Sequence, residues 1–525
     1  MSTHVEPSPG SDFRAALRAE WTKFRTVRGW MIGLVFAALM VLLFTFLQAH
    51  GKNEGFCTTP NPSSCVAGHP YVPTGPGGEA VADTYEFAAK RLTGDGTITA
   101  RITSLSGRIW AGPANRAPSL GDTRSGLTMW TKAGLLITPS TSQGASYAAV
   151  MATGGHGVRF QYDYTHDQAG LPGPISGAAA RWLRLTRAGS TITGYDSADG
   201  AHWHSVGSAQ LAGLPKTVQA GLVATSPTTD AGSATQATAS FDHIVIGSGP
   251  NGAAHAAPGA WHGASIGSGP RDYYTTLGSS GYRQARDAIL VTGSGDISPA
   301  VASAGGDTAS DSLLFGLVVA QIVLIVIATM FITSEYRRGL IRTTLAATPD
   351  RGHMLVAKAV VIGGIAFAVG AVASAVAIPL GEHVMSANGN YIFPADSLTV
   401  AEVILGSGAL VALTSVAVLG IGTILRRSAS AILIGVLVFV LPTFTGPGII
   451  GPISSGTAAT WLYRVTPAAG FSLLGIVPRS GLVSYRYAMA NGYYPLSPWA
   501  GLLILGAYAA VALLAARVVL RRRDA

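Results

Sequence analysis

Long, predominantly apolar segments recur along this chain, and polar, glycine-rich sequence separates the first two. The hydrocarbon core of a bilayer is about 30 Å thick, so a helix needs about 20 consecutive apolar residues to cross it. The pattern therefore predicts six transmembrane helices: Trp30–Gln48, Ser312–Thr333, Leu355–Leu380, Val400–Leu425, Ala429–Thr445 and Trp499–Val519.

One further apolar stretch, Ile453–Val477, contains Arg464 and Pro467. Because proline interrupts a helix, this stretch predicts half-helices in the outer leaflet rather than a seventh span. The first span is expected to be a retained signal anchor. A long basic segment precedes it, and no small-x-small cleavage motif ends it.

Segment 49–311, between the first two spans, alternates apolar and polar residues. Val158, Phe160 and Tyr162 take every second position, a period typical of half-buried β-strands. Asp199-Gly200 predicts the turn of a β-hairpin. Many short strands with glycine-rich turns predict an all-β sandwich or jelly roll at about residues 80–250, followed by a linker. The expected fold class is a polytopic α-helical membrane protein with this β-domain inserted between helices 1 and 2.

Composition and charge support this interpretation. The chain is 48% hydrophobic and 12% charged, whereas about a quarter of the residues of an average soluble domain are charged. The connector Gly381–Thr399 has no Lys or Arg, so the positive-inside rule places both termini in the cytoplasm and the β-domain outside. We attribute the net charge of +9 to this topology and to anionic lipid, and not to nucleic-acid binding. The basic flanks are Arg14, Arg18, Lys23, Arg25, Arg28, Arg337, Arg338, Arg342, Arg351, Lys358, Arg426, Arg427, Arg517, Arg521, Arg522 and Arg523.

Four stretches of the β-domain resemble successive strands of a concanavalin A-like lectin/glucanase jelly roll. The resemblance covers about Asp83–Gly247 and implies a fold more than a function, because that superfold includes sugar binders, hydrolases and spacers. The stretches are LTMWTKAGLLI, YAAVMATGGHGVRFQYDY, RWLRLTRAGSTITGYDSADGAHWHSVGS and ATASFDHIVI.

The β-domain lacks the acidic cluster that a glycosidase needs. A retaining glycosidase uses two carboxylates about 5 Å apart, and the carboxylates here are scattered along the sequence, so we expect no hydrolase activity. The tryptophans either stack on sugars or lipid headgroups, or pack in the sandwich. The carboxylates are Asp163, Asp167, Asp196 and Asp199; the tryptophans are Trp110, Trp130, Trp182 and Trp203.

Two pairs of potential metal or disulfide residues occur in segment 49–311. Cys57 and Cys65 follow the first span on the expected outer side, an oxidising compartment, which predicts a disulfide; free thiols are the alternative. His202 and His204 form an H-x-H pair without a third ligand in view, so we expect a surface pair and no metal site. The sequence predicts no cofactor.

The cytoplasmic N-terminal segment, residues 1–29, predicts an amphipathic helix. Phe13, Leu17, Trp21 and Phe24 share one face, and basic residues lie elsewhere on the helix. A basic helix with aromatic side chains is suited to the membrane interface.

The connector after the second span, residues 334–354, predicts a short helix that ends before Pro349. Its sequence, together with EWTKFRTVRGW before the first span, resembles the membrane subunit of a type-2 ABC transporter, an exporter permease. The resemblance covers about residues 11–48 and 312–523; it departs from the family in the large insertion between the first two spans. It implies that the connector is a coupling helix docking on a separate ATPase, with Glu335, Arg337, Arg338, Gly339, Arg342, Thr343, Thr344 and Pro349 in or beside the docking element.

The expected function is therefore the permease subunit of an ABC exporter in a bacterial, actinobacterial-type plasma membrane. The sequence contains no G-x-x-x-x-G-K-[ST] loop for phosphate binding, so the chain is not expected to be an ATPase itself. Its expected partners are an ABC ATPase, a second permease chain and membrane lipid. The alternative is a membrane-anchored extracellular carbohydrate-binding or sensor protein. The cargo is not encoded in any recognisable motif.

Overall fold

The computed structural model of the chain divides into two compact units, which are described separately below. The helical unit comprises residues 1–53, 307–478 and 487–525, and the β unit comprises residues 54–306 and 479–486. The structure describes residues 9–51, 73–112, 118–175, 179–229, 233–248, 255–267, 277–300, 309–337, 351–388, 392, 395–444, 461, 463–475, 481–483 and 496–522.

The helical unit contains five long apolar helices in its described part, together with the more polar first helix and one short apolar helix. Their order is α1 (Pro9–Thr26), α2 (Arg28–Gly51), α3 (Ala309–Arg337), α4 (Arg351–Ala387), α5 (Ser397–Leu425), α6 (Ser428–Phe439) and α7 (Pro498–Arg522). Short 3₁₀ turns lie at Leu441–Phe444 and Pro467–Leu474.

Within the described residues, five helices (α2, α3, α4, α5 and α7) are long and apolar enough to cross a membrane. They coincide with five of the six predicted spans, and their length and composition are compatible with a multi-pass membrane protein. The predicted span 429–445 is different: α6 has 12 residues, about 18 Å at 1.5 Å per residue, and a 3₁₀ turn continues it. The sixth span therefore remains a prediction.

Small residues bring the helices close together. Gly370 on α4 faces Ser407 and Gly408 on α5, and Gly408 in turn faces the carbonyl oxygen of Phe367. Such contacts let two backbones approach, which is how helices associate where surrounding lipid is as apolar as the side chains. The core of the unit is aliphatic and aromatic, with Phe24, Phe331 and Phe471 fully buried.

The β unit is an antiparallel sandwich, which confirms the predicted β-domain, and its strands lie between α2 and α3 in the chain. The strands are β1 (Val81–Asp83), β2 (Tyr85–Thr93), β3 (Gly96–Trp110), β4 (Thr123–Ser125), β5 (Lys132–Thr138), β6 (Ala148–Thr153), β7 (Val158–Tyr162), β8 (His166–Ala169), β9 (Arg181–Ala188), β10 (Thr191–Ser197), β11 (His204–Gln210), β12 (Thr217–Thr225), β13 (Thr235–Ser248), β14 (His255–Ala256), β15 (His262–Ile266), β16 (Gly281–Ala285), β17 (Ala288–Gly293) and β18 (Ile297–Pro299).

Two large sheets face each other. One has the order β11-β10-β9-β3-β13-β17-β16; in addition, β4 pairs with β3 and β14 pairs with β13. The other has the order β15-β2-β12-β5-β6-β7-β8. Alternate residues of both sheets, such as Ile98, Leu135, Phe160 and Phe241, are fully buried between them. This is the period-two burial that the sequence pattern predicts.

A second core covers the outer face of the β2-containing sheet, where Tyr85, Tyr147 and Tyr164 pack together. At its margin β1 pairs with β18, so the first and last strands of the unit meet. Lys132 Nζ lies 2.7 Å from Asp296 Oδ1, and both side chains are fully buried. This ion pair ties β5 to the residue preceding β18.

Candidate functional site

Four charged side chains from three helices meet at one end of the helical unit. Lys358 Nζ lies 2.6 Å from Glu20 Oε2 and 2.7 Å from Glu335 Oε1. Lys23 Nζ lies 2.8 Å from Glu20 Oε1 and 3.2 Å from Glu335 Oε1. Glu20, Lys23, Glu335 and Lys358 are called the four-residue ion network below.

Helical geometry places these groups. Glu20 and Lys23 are three residues apart on α1 and so share a face. Glu335 lies in the last turn of α3, and Lys358 lies about two turns into α4. The network thus joins α1 to the two helices that border residues 338–350.

The network is mostly withdrawn from water. Side-chain exposure is 0% for Lys358, 3% for Glu20, 9% for Glu335 and 40% for Lys23. Two positive charges balance two negative charges, which offsets the large cost of burying ions. The ring of Phe331 lies 4.5 Å from Lys358 Nζ and adds a cation–π contact.

The pKa of Lys23 reflects its two acidic partners. Partial burial would by itself lower that pKa, but hydrogen bonds and charge attraction from Glu20 and Glu335 outweigh it and raise the pKa above the usual lysine value. Lys23 is therefore a firmly charged member of the network. Glu335 Oε2 is buried and has no hydrogen-bond partner in the described part of the chain.

Other polar contacts gather at the same end of the unit. Thr333 Oγ1 lies 2.8 Å from Ser428 Oγ, which joins α3 to the start of α6. Arg351 Nη1 donates to the carbonyl oxygen of Leu520 at 2.6 Å, which joins the start of α4 to the end of α7. Both contacts add connections at the network's end of the helical unit.

Most of the predicted coupling residues fall outside the described residues. Glu335 belongs to the ion network and Arg337 ends α3. The rest occupy residues 338–350, which the structure does not describe: Arg338, Gly339, Arg342, Thr343, Thr344 and Pro349. Cys57 and Cys65 also lie outside the described residues, and their disulfide remains a prediction.

The predicted apolar face of the N-terminal helix lies on α1. Phe24 is fully buried and packs at 5.4 Å, ring centre to ring centre, against Phe331. Leu17 packs against the core, and the ring of Phe13 meets the ring of His353. Trp21 is 47% exposed. Whether this face also contacts lipid stays a prediction.

Sequence reasoning missed Glu20 and Lys358 as site residues. The charge pattern assigns Lys358 to a basic flank, yet this residue lies inside an apolar segment, where an ionisable residue is by default a functional candidate. Glu20 is an acid within a basic helix. A lysine within an apolar segment and an acid within a basic helix are the sequence features from which the site could be predicted.

The carboxylates singled out in the β unit hold its loops together. Asp163 accepts from Ser146 Oγ at 2.6 Å, and Asp196 accepts from the Leu171 N–H at 2.6 Å. Asp167 pairs with Arg159. Asp199 caps its turn, accepting from His202 Nδ1 at 2.7 Å, and this bond together with backbone N–H groups holds the pKa of Asp199 well below its usual range.

The structure also shows where the four candidate tryptophans and the H-x-H histidine pair of the β unit lie. Trp110 and Trp130 are buried, whereas Trp182 and Trp203 are half-buried with Arg101 and Arg184 over their rings. His202 lies in the turn and His204 begins β11, both exposed. Among the described residues, no group of three or more His, Cys, Asp or Glu side chains could hold a metal ion.

No family model and no curated protein matches the chain. Among solved structures it is similar to scytalido-glutamic peptidase with a transition state analog inhibitor, with a TM-score of 0.26 and 7% identity over 40% of this chain and 98% of that chain. It is also similar to a functionally unknown protein from Saccharomyces cerevisiae, with a TM-score of 0.21 and 13% identity over 31% of this chain and 74% of that chain. Likenesses at these TM-scores carry no argument about the function of this chain.

Proposed function

We propose that this chain is the permease subunit of an ABC exporter and that it couples through residues 338–350 to a separate ATPase. The observation that carries the proposal is the four-residue ion network. It joins the two stems of that connector, α3 and α4, to each other and to α1.

Such coupling requires that the two helices flanking residues 338–350 be rigidly connected to each other. A partner that pushes on a connector moves the spans only if the connector's two ends move as one body. Glu335 and Lys358 are 23 positions apart in the chain, and their charged atoms are 2.7 Å apart. Force on the connector would therefore reach α3, α4 and α1 together.

The rest of the proposal concerns partners and topology. The sequence has no loop of the P-loop type, so the ATPase is a separate chain. A second permease chain completes the translocation path. Six spans, cytoplasmic termini, an external β-domain and a bacterial plasma membrane belong to the same proposal. A concanavalin A-like origin of the β-domain and the Cys57–Cys65 disulfide are proposed with it.

Co-purification and ATPase coupling test the proposal. The chain is co-expressed with a candidate ABC ATPase, chosen from neighbouring genes that encode a P-loop, and is then extracted gently and reconstituted. We expect the ATPase to be retained, and deletion of 337–347 to abolish its stimulation by the permease while the β unit stays folded. Arg342→Ala is the milder variant, with reduced stimulation expected. Arg283→Ala, on the exposed edge strand β16, is the control and is expected to behave as wild type.

Two results would count against the exporter. One is a chain that never retains an ATPase under gentle extraction. The other is unchanged ATPase coupling after the deletion. Glycan binding without a bound ATPase would favour the alternative, a membrane-anchored carbohydrate-binding or sensor protein.

A further inference from the structure

A groove of about 420 Å³ opens at one margin of the sandwich. Its floor is apolar, with Ile246 from β13 and Ile289 from β17. The charged and aromatic part of its lining comes from Lys90 of β2, Trp261 and the turn residues Arg286 and Asp287. This volume falls in the lower part of the range of small-molecule sites.

The aromatic wall of the groove is held in place. The carbonyl oxygen of Trp261 accepts a hydrogen bond from the Tyr282 hydroxyl at 2.9 Å. The ammonium group of Lys90 lies 5.4 Å from the centre of the indole ring. Lys90 therefore lies over the indole ring, with its charge at the groove.

The groove carries more positive than negative charge. Lys90 and Arg286 both line it, and neither has a carboxylate partner in the described part of the chain. Asp287 is the acidic residue in the lining. Two cations without carboxylate partners beside an apolar floor fit a ligand with an anionic head and an apolar body.

Arg286 occupies a backbone position that usually belongs to glycine. Ala285 pairs with Ala288, so Arg286 and Asp287 form a two-residue hairpin turn. Arg286 has φ +34°, and a positive φ at the first turn position favours Gly. An L-residue there costs about 1 kcal/mol or more. The strained turn position thus places the guanidinium of Arg286 at the groove.

We propose that the groove binds a single-chain lipid phosphate. The phosphate lies between Lys90 and Arg286, and the alkyl chain lies along Ile246 and Ile289. The phosphate head complements the two cations, the slender chain suits the volume, and the apolar floor removes the chain from water. A sugar fits less well, because Lys90 covers one face of the Trp261 ring, on which a sugar would stack. This site is independent of the ATPase and of the exporter proposal.

The test measures binding of radiolabelled octyl phosphate to the full chain in phosphatidylcholine nanodiscs, with empty nanodiscs subtracted. Arg286→Gly removes the cation and relieves the turn, so it keeps the fold. We expect Arg286→Gly and Lys90→Met each to weaken binding about tenfold, the value of one charge-assisted hydrogen bond. Asp287→Asn is expected to tighten it, because a repelling carboxylate is removed.

Two competing ligands identify what is recognised. Octanol and inorganic phosphate are each expected to compete at least tenfold more weakly than unlabelled octyl phosphate. Equal competition by octanol would show an apolar site, and equal competition by phosphate would show a free-anion site; either overturns the proposal. So does no binding above that of empty nanodiscs, wild-type affinity in both cation variants, or weaker binding in Asp287→Asn.

Discussion

Lys358 and Glu20 are 338 positions apart in the chain, yet Lys358 Nζ lies 2.6 Å from Glu20 Oε2 in a buried ion pair. The pair joins the helix before the first span to the helix that follows the connector. A contact at such sequence separation connects two elements that the exporter proposal places in the cytoplasm and treats as mechanically linked. The contribution of this ion pair to the stability of the helical unit is therefore the first quantity to measure.

Lys358→Met should destabilise the helical unit by about 3–5 kcal/mol, because it leaves Glu20 and Glu335 buried without their central cation. Lys23→Met removes the 40% exposed cation and should cost about 1 kcal/mol or less. The measurement is denaturant unfolding of the purified chain, followed by circular dichroism of the helices. Equal, small effects of the two substitutions would contradict the network's role.

A double variant separates charge burial from packing. Glu20→Gln in the Lys358→Met background removes one of the stranded carboxylates, so we expect it to recover part of the lost stability. The difference from simple additivity gives the coupling energy of the pair. Purely additive losses would show that Glu20 and Lys358 do not interact energetically.

Gly370→Ala should weaken the contact between α4 and α5 by about 1–3 kcal/mol, since the added carbon overpacks the interface. A Cβ there would lie 2.6 Å from Val411 Cγ2 and 2.9 Å from the Ser407 carbonyl oxygen. Gly364→Ala on the same helix meets nothing within 4 Å and is the matched control. Helical unfolding midpoints of both variants check this, and an equal response would show that α4 and α5 are loosely packed.

The sequence predicted those parts of the fold that follow from local periodicity. The apolar segments gave five of the helices, and the alternation at Val158, Phe160 and Tyr162 gave β7. The turn at Asp199-Gly200 joins β10 to β11, with Gly200 at φ +77° as such a turn favours. Each of these elements can be predicted from residues that are close together in the sequence.

Pairings between distant segments were not predictable in this way. No local pattern places Glu20 beside Lys358, because charges within one helix do not reveal their partners on another. The same holds for Lys132 and Asp296, which are 164 positions apart. Apolar composition alone also does not show that α6 gives way to a 3₁₀ turn at Leu441.

Lys132→Met should destabilise the β unit by about 3–5 kcal/mol, since it strands the fully buried carboxylate of Asp296. Arg101→Met is the control, because Arg101 pairs with Asp242 in the same unit but is 32% exposed; its loss should cost about 1 kcal/mol. Hydrogen exchange of β5 and β18 peptides measures both. Equal protection in the two variants would contradict the assignment of Lys132 as the stronger anchor.

Asp83 should make the β unit less stable as pH rises from about 4 to 7. Burial raises the pKa of Asp83 to about 7, although the Gly144 N–H donates to its Oδ2 at 2.8 Å and opposes the rise. Between these pH values the unfolded chain has lost the Asp83 proton while the folded chain retains it. Rising pH then favours the unfolded state, and above pH 7 both states are ionised and the loss is complete.

The effect should be on the order of 4 kcal/mol, given 1.36 kcal/mol per pKa unit. Tyr85, Tyr147 and Tyr164 surround the carboxyl group, and Asp296 acts on the same cluster. Asp83→Asn keeps the acceptor for Gly144 and loses the proton, so its stability should not fall over this range. Hydrogen exchange of sandwich peptides at pH 5 and pH 8, corrected for intrinsic rates, tests this, with Asp287→Asn as the exposed control. If wild type and Asp83→Asn lose the same protection, Asp83 is already ionised in the folded chain at pH 5.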